Sequence, residues 1–79
     1  MYQVTIRFWA AARAAAGTPE IAVGARSVAE ALAGLDRGPE LDRIVGLSSI
    51  LVDGRRSADL DAELTGPVVA EVLPPFAGG

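Results

Sequence analysis

The chain contains no cysteine, no histidine and no lysine. Without cysteine it has neither disulfides nor thiolate metal sites. Without histidine it lacks the usual general base at neutral pH and the commonest metal ligand. An independent catalyst with this inventory is not expected. The net charge is −3, so no basic face is expected for phosphate, and nucleic acid is excluded as a partner. No apolar run approaches the roughly 20 residues needed to span a bilayer. The first apolar stretch is interrupted by Arg7 and Arg13 and does not read as a signal peptide. The expectation is a cytoplasmic protein with no membrane partner.

All seven basic residues are arginines: Arg7, Arg13, Arg26, Arg37, Arg43, Arg55 and Arg56. A high-GC genome, which favours arginine, alanine and glycine codons, accounts for this blandly. The chemical consequence holds whatever the cause. A reactive acyl group on this protein finds no lysine on its own copies.

What is present suits one small domain. Hydrophobic residues make up 51% of the 79, enough for one core without staples. Tyr2, Val4, Ile6 and Phe8 alternate with Gln3, Thr5, Arg7 and Trp9, the mark of a strand with one buried side. Trp9 reads as packed beneath the following loop, with a binding role as the alternative. Ala10 to Gly17 predicts one or two helical turns stopped by the glycine, and Glu20 to Val23 a short strand antiparallel to the first. Ser27 to Asp36 is the clearest helix. Ser27 caps it, Glu30 completes a capping box, and Val28, Ala31, Leu32 and Leu35 form its apolar stripe. Gly38 and Pro39 end it, and Pro39 to Val45 reads as a second, shorter helical piece.

Ser48 to Val52 predicts a third strand, Asp53-Gly54 a tight turn and Arg55 to Ser57 a short returning strand. Ser57 to Leu64 reads as a loop with a helical turn, pinned by Leu60 and Leu64. Asp53, Asp59, Asp61 and Glu63 do not match the spacing of a calcium loop and read as a solvated loop. Val68 to Leu73 is the last strand. One of its faces carries Val69, Glu71 and Leu73, too apolar for plain solvent, so another element or a partner is expected to cover it. Several strands with one main helix between the second and third predict an α+β sandwich with the helix on one sheet face. The domain is read as residues 1–73, with residues 74–79 as an extended tail.

The tail, VLPPFAGG from Val72, carries the chemistry. Pro74 and Pro75 cannot donate to a ladder, so the strand ends there. Proline also holds the preceding residue extended, which projects the chain away from the sheet. Phe76 and Ala77 follow, and Gly78 and Gly79 pass through a slot that would block any side chain. Six extended residues reach at most about 20 Å, enough to carry a terminus into a pocket on another protein. A terminal carboxylate, with a pKa of roughly 3.3–3.7, is ionised and a poor electrophile. Converted to an acyl-adenylate, a Gly-Gly end is open to an incoming nucleophile. A frayed tail is the bland alternative.

Over essentially its whole length the sequence resembles the MoaD/ThiS sulfur-carrier proteins. The resemblance rests on RFWAAARAAAG, SVAEALAGL, LVDG and above all the VLPPFAGG end. The length and the PPFAGG ending look more like MoaD than ThiS. The segment before the last strand departs from the family's DGD turn, reading Leu64-Thr65-Gly66-Pro67, and Trp9 stands where a smaller residue is common. The resemblance implies a ubiquitin-like β-grasp, a mixed sheet of four to five strands with one main helix packed on one face. It implies a carrier rather than an enzyme, with catalytic residues on a partner.

In that scheme an E1-like adenylating enzyme (MoeB/ThiF-like) spends ATP to activate Gly79, and a sulfur donor makes the thiocarboxylate. A MoaE-like large subunit of molybdopterin synthase then passes the sulfur to a pterin precursor in molybdenum cofactor biosynthesis. No cofactor is bound by the carrier itself. Gly79 is the loaded site, Gly78 gives access, and Pro74, Pro75, Phe76 and Ala77 are threaded into the partner. Leu73, with Phe8 or Trp9, is the candidate docking patch. Three alternatives stand beside this: a carrier for thiamine, tRNA thiolation or secondary metabolism; a ubiquitin-like protein modifier; and a non-catalytic interaction module.

Overall fold

The computed structural model describes residues 1–56 and 59–75. Among them the chain forms β1 (Tyr2–Phe8), α1 (Ala10–Ala16), β2 (Glu20–Ala25), α2 (Val28–Ala33), α3 (Pro39–Leu47), β3 (Ser49–Val52), β4 (Arg55–Arg56) and β5 (Val68–Leu73). The strands make one mixed sheet in the order β2-β1-β5-β3-β4. The expected ubiquitin-like β-grasp with a mixed sheet is the fold observed; where one main helix was expected, three helices of 7, 6 and 9 residues pack against the core. β1 pairs antiparallel with β2 and parallel with β5, and β5 pairs antiparallel with β3. The last strand therefore lies inside the sheet, held on both sides.

Alternation in β1 and β5 sets the core. Val4, Ile6, Phe8, Ala70 and Val72 point to one face and pack against Ala12, Ala16, Val28, Ala31, Leu32, Leu41 and Ile44 of the helices. Tyr2 shares their face by alternation but is 41% exposed. No polar or charged residue is buried among the described residues. The core is thus held by apolar burial, worth roughly 25 cal/mol per Å².

Local chemistry fixes the element ends. Gly17 takes φ 75° and donates its N–H to the Arg13 carbonyl at 3.0 Å, closing α1 in a left-handed conformation that favours glycine. Ser27 Oγ accepts from the Glu30 N–H at 3.0 Å, while the Glu30 carboxylate accepts from the Arg26 N–H at 3.2 Å. The reciprocal box therefore forms, reaching one residue further back than the usual pattern. α2 is shorter than the sequence suggests: it ends at Ala33, with Gly34 as its cap, although Leu35 still reaches the core.

The piece expected to be the shorter helix, α3, is the longer by three residues. Pro39 starts it, Leu41 and Ile44 anchor it, and Ser48 Oγ donates to the Ile44 carbonyl at 2.6 Å where it ends. α3 runs on through Gly46 to Leu47, whereas α2 stops where the Gly34 N–H closes onto the Glu30 carbonyl at 3.1 Å.

At the β3–β4 hairpin, Asp53 and Gly54 both take positive φ, 50° and 80°, the requirement of the tight turn that matches strand twist. The loop that follows is tied to α2 by the Ala29 N–H donating to the Leu60 carbonyl at 2.9 Å, and to the residue before its cap by the Leu64 N–H donating to the Arg26 carbonyl at 2.8 Å. Leu60 and Leu64 are partly buried against the core, the pinning role expected of them. No helix among the described residues is long and apolar enough to cross a membrane.

Candidate functional site

The root of the tail is built by β5. Five pairs, from Val4 with Val68 to Phe8 with Val72, tie it to β1, and four, from Ser49 with Leu73 to Val52 with Ala70, tie it to β3. The Trp9 N–H donates to the Val72 carbonyl at 3.3 Å, one bond past the end of β1. The ladder stops at Leu73 because neither of the next two residues has an N–H to give. A chain leaving an interior strand here starts from a fixed point and a fixed direction.

Pro74 is partly buried and Pro75 exposed. Both line a hollow of about 170 Å³ against Ala11 of α1 and Ile44 and Leu47 of α3, with Glu40 and Arg43 also on its wall. Leu47 is 61% exposed, unusual for a large apolar side chain, and it stands beside the proline pair. The candidate residues Phe76, Ala77, Gly78 and Gly79 lie outside the described residues, as do Ser57 and Ala58.

Leu73 lies on the sheet face opposite the core. In register with it, Leu51 faces Glu71 across the β3–β5 pair, and Thr5 faces Val69 across the β1–β5 pair. Leu51, Val69 and Leu73 are partly buried on this face, while the helices pack on the other side. The cover expected for this side of β5 is not supplied by any helix among the described residues.

Trp9 borders the same surface. It is 46% exposed and its indole N–H donates to the Glu71 carboxylate at 3.1 Å. It is not packed beneath the following loop, which corrects that expectation. Ala10 turns the chain with φ 48°, and α1 leaves toward the core face while the indole stays outside. Phe8 is the second correction. It is 2% exposed and on the core face, so it packs inside the domain and does not join a docking patch with Leu73.

Arg7 also lies on the outer face and pairs with Glu20 at 3.4 Å, both side chains 51% exposed. A pair so exposed adds little stability. Asp53, Asp59, Asp61 and Glu63 form no metal-binding group, and no such group of acidic residues occurs among the described residues. Asp59 instead accepts from the Asp61 N–H at 3.0 Å, ordering its own turn. Three features of this region were not apparent in the sequence: Leu51 on the outer face, the Trp9–Glu71 bond, and the hollow beside the prolines. The β1–β5 and β3–β5 registers bring the first two about, and the packing of α1 and α3 beside the tail root makes the third.

No family model and no curated protein matches the chain. Solved structures do. Small archaeal modifier protein 1 from Methanosarcina acetivorans is 28% identical, with a TM-score of 0.84, over 100% of this chain and 98% of that one. Small archaeal modifier protein 1 from Haloferax volcanii is 24% identical, with a TM-score of 0.78, over 98% and 99%. A complex of subunits 1 and 2 of molybdopterin-converting factor from Helicobacter pylori matches at 23% identity and a TM-score of 0.73, over 98% and 99%. These neighbours support the MoaD/ThiS-like resemblance drawn from the sequence. With this strand order and these neighbours along essentially its whole length, the chain is a ubiquitin-like β-grasp protein similar to MoaD and the small archaeal modifiers.

Proposed function

We propose that the protein is a sulfur carrier of the ubiquitin-like kind, loaded at the carboxylate of Gly79. The observation that carries this is the junction at Leu73. An interior strand, fixed by ladders on both sides, hands over to Pro74 and Pro75 and then to Phe-Ala-Gly-Gly in sequence. Rigid presentation of an unhindered main-chain acid is what a carrier needs. The chain contributes no histidine or cysteine of its own, so activation falls to a partner. An E1-like enzyme would form the acyl-adenylate from ATP, and a sulfur donor would displace AMP to leave a thiocarboxylate.

Within that reading the destination is a molybdopterin synthase, with this chain as the small subunit. The Helicobacter pylori neighbour, a complex of subunits 1 and 2 of molybdopterin-converting factor, supports a partner subunit, and the proposal has the tail insert into it. Leu51, Val69, Leu73 and Trp9 are the surface on which that partner would sit. A second reading, transfer of the Gly79 acyl group to a lysine of another protein, is favoured by the small archaeal modifier at 28% identity.

The deciding experiment incubates the chain with ATP, an E1-like enzyme and sulfide, and reads intact mass. Exchange of one oxygen for sulfur at Gly79 is the expected result. Removal of Gly78 and Gly79 abolishes the exchange and leaves thermal unfolding unchanged. An unmodified mass with an enzyme that loads a known carrier sinks the proposal. Supply of a pterin precursor with a MoaE-like subunit, against supply of a lysine-bearing protein, separates the two destinations.

A further inference from the structure

The two edges of the sheet are unlike. β4, at one edge, is two residues long, and both are arginines. A short, charged edge discourages a further strand. β2, at the other edge, runs six residues, and after Glu20 it carries only Ile21, Ala22, Val23, Gly24 and Ala25. Its register with β1 is continuous, and neither a proline nor a charge interrupts it before Arg26. An edge of that length and character is open to pairing.

The β1–β2 register fixes which backbone groups are left over. The Phe8 N–H donates to the Pro19 carbonyl at 2.9 Å, one step before Arg7 pairs with Glu20. Bonded and non-bonded pairs alternate along an antiparallel ladder. Ile21, Val23 and Ala25 therefore bond to β1, while Glu20, Ala22 and Gly24 turn their N–H and C=O groups outward. The Glu20 carbonyl accepts from the Thr18 hydroxyl at 3.2 Å. The open groups are thus those of Ala22 and Gly24, both exposed. Beside them Ile21 and Val23 lie at the rim of the core, only partly buried.

We propose that β2 pairs antiparallel with β2 of a second copy of this chain, about a twofold axis at Val23. Ala22 of each copy then faces Gly24 of the other and exchanges both N–H···O=C bonds with it, so every open group is used. Val23 meets Val23, and Ile21 meets Ala25, which covers the rim. In the same register Glu20 of each copy stands opposite Arg26 of the other, and opposite charges so placed attract. This match of charge is what singles out a second copy as the occupant. Arg26 is exposed and makes no ion pair among the described residues, and Glu20 has only its exposed contact with Arg7 at 3.4 Å. The other bonded register, with Ala22 on Ala22, sets Glu20 against Gly24 and forfeits both charge pairs. The contact is isologous and closes at two copies. It uses β2 and Arg26 alone and does not depend on how Gly79 is read.

One strand pair buries less than the roughly 1,200 Å² of a stable interface, so a weak dimer is expected, with a dissociation constant on the order of 100 μM. The test follows the full chain by sedimentation equilibrium and amide NMR from about 20 μM to about 1 mM, either side of that value. The mass rises from monomer toward dimer. The Ala22 and Gly24 amides shift and exchange more slowly with solvent as concentration rises, while those of Ile21 and Val23, already bonded to β1, do not. Glu20→Arg and Arg26→Glu each place like charges opposite one another at both ends, and each weakens the dimer by at least about 10-fold. The double variant exchanges the two charges and returns the affinity to within about 3-fold of wild type.

Ala22→Pro removes an outward N–H without touching a bond to β1, a place where an edge strand tolerates proline. It loses the dimer and keeps the unfolding temperature of dilute wild type. The proposal is overturned if wild type is still a monomer at about 1 mM, ten times the expected dissociation constant. It is equally overturned if the protected amides lie elsewhere, as around Trp9, or if the double reversal associates no better than the single ones. Should Ala22→Pro fail to fold, the charge reversals, which alter exposed side chains only, decide the matter.

Discussion

The two faces of the sheet use the same strands for opposite ends. On β1 and β5 the core face carries Val4, Ile6, Phe8, Ala70 and Val72, none more than 2% exposed. One residue along in each case, the outer face carries Thr5, Arg7, Val69, Glu71 and Leu73, none of them fully buried. An antiparallel or mixed sheet with one solvated face ordinarily alternates apolar with polar. Here the outer face carries Leu51, Val69 and Leu73, each half-buried, with Trp9 at its edge. The core face needs its apolar residues for folding. The outer face lies outside that core, and under the proposed function it is where the partner would sit.

The largest expected effect lies on the core face. Ile6, in the middle of β1, is fully buried and pairs with Ile21 on one side and Ala70 on the other. Truncation by Ile6→Ala removes buried methylenes and leaves a void, at a cost of about 2–5 kcal/mol. A domain of this size holds only about 4–12 kcal/mol in all. The expected result in urea or thermal unfolding is a fall of at least about 10 °C in Tm. A fall of only one or two degrees would mean that the core face is not where the stability resides.

The next effect belongs to the outer face and appears in binding rather than stability. Leu73→Asp puts a charge at the centre of the proposed docking surface, while its face opposes no helix. Loss of a central apolar contact is worth about 2 kcal/mol or more in a partner interface, so the dissociation constant for a MoaE-like subunit rises at least about 10-fold. Unfolding temperature changes little by comparison. Trp9, the chain's single tryptophan, is the built-in reporter, because its half-exposed indole would be covered on docking and its emission would shift to the blue. Unchanged affinity in Leu73→Asp removes the outer face from the interface and leaves the tail alone to make it.

Core-face residues were legible from the sequence because period-two alternation in YQVTIRFW and period-3.6 spacing in SVAEALAGL each name a buried side. The Ser27–Glu30 cap, the Gly17 stop and the Asp53-Gly54 turn were legible because each needs a particular side chain or a positive φ. What alternation cannot supply is the pairing partner. The parallel β1–β5 ladder joins residues more than sixty positions apart, and only it brings Trp9 to Glu71. Phe8 and Trp9 show both sides of this: alternation already sets Phe8 with the buried Val4 and Ile6, while the partner of the Trp9 indole had to come from the ladder. The tail was read from its residue types alone, and the hollow that receives Pro74 and Pro75 depends on α3 extending to Leu47.

The smallest expected effect lies where the outer face meets the hairpin. Asp53 grips Val69 twice: its N–H donates to the Val69 carbonyl at 2.8 Å, and its carboxylate accepts from the Val69 N–H at 2.9 Å. It does so from φ 50°, a conformation that aspartate and asparagine tolerate better than alanine. Asp53→Ala loses the side-chain bond and adds backbone strain, together costing about 1–2 kcal/mol. Asp53→Asn keeps an acceptor and the tolerated conformation, and is expected to stay within about 0.5 kcal/mol of wild type. Denaturant unfolding of the pair checks both. A loss in Asp53→Asn equal to that in Asp53→Ala would show that the negative charge, rather than the clasp, holds the hairpin to β5. The same pair sharpens the contrast of faces, since the clasp fixes Val69 without burying it. Partner binding by Asp53→Asn therefore remains at the wild-type level, and only a change in the apolar surface itself disturbs it.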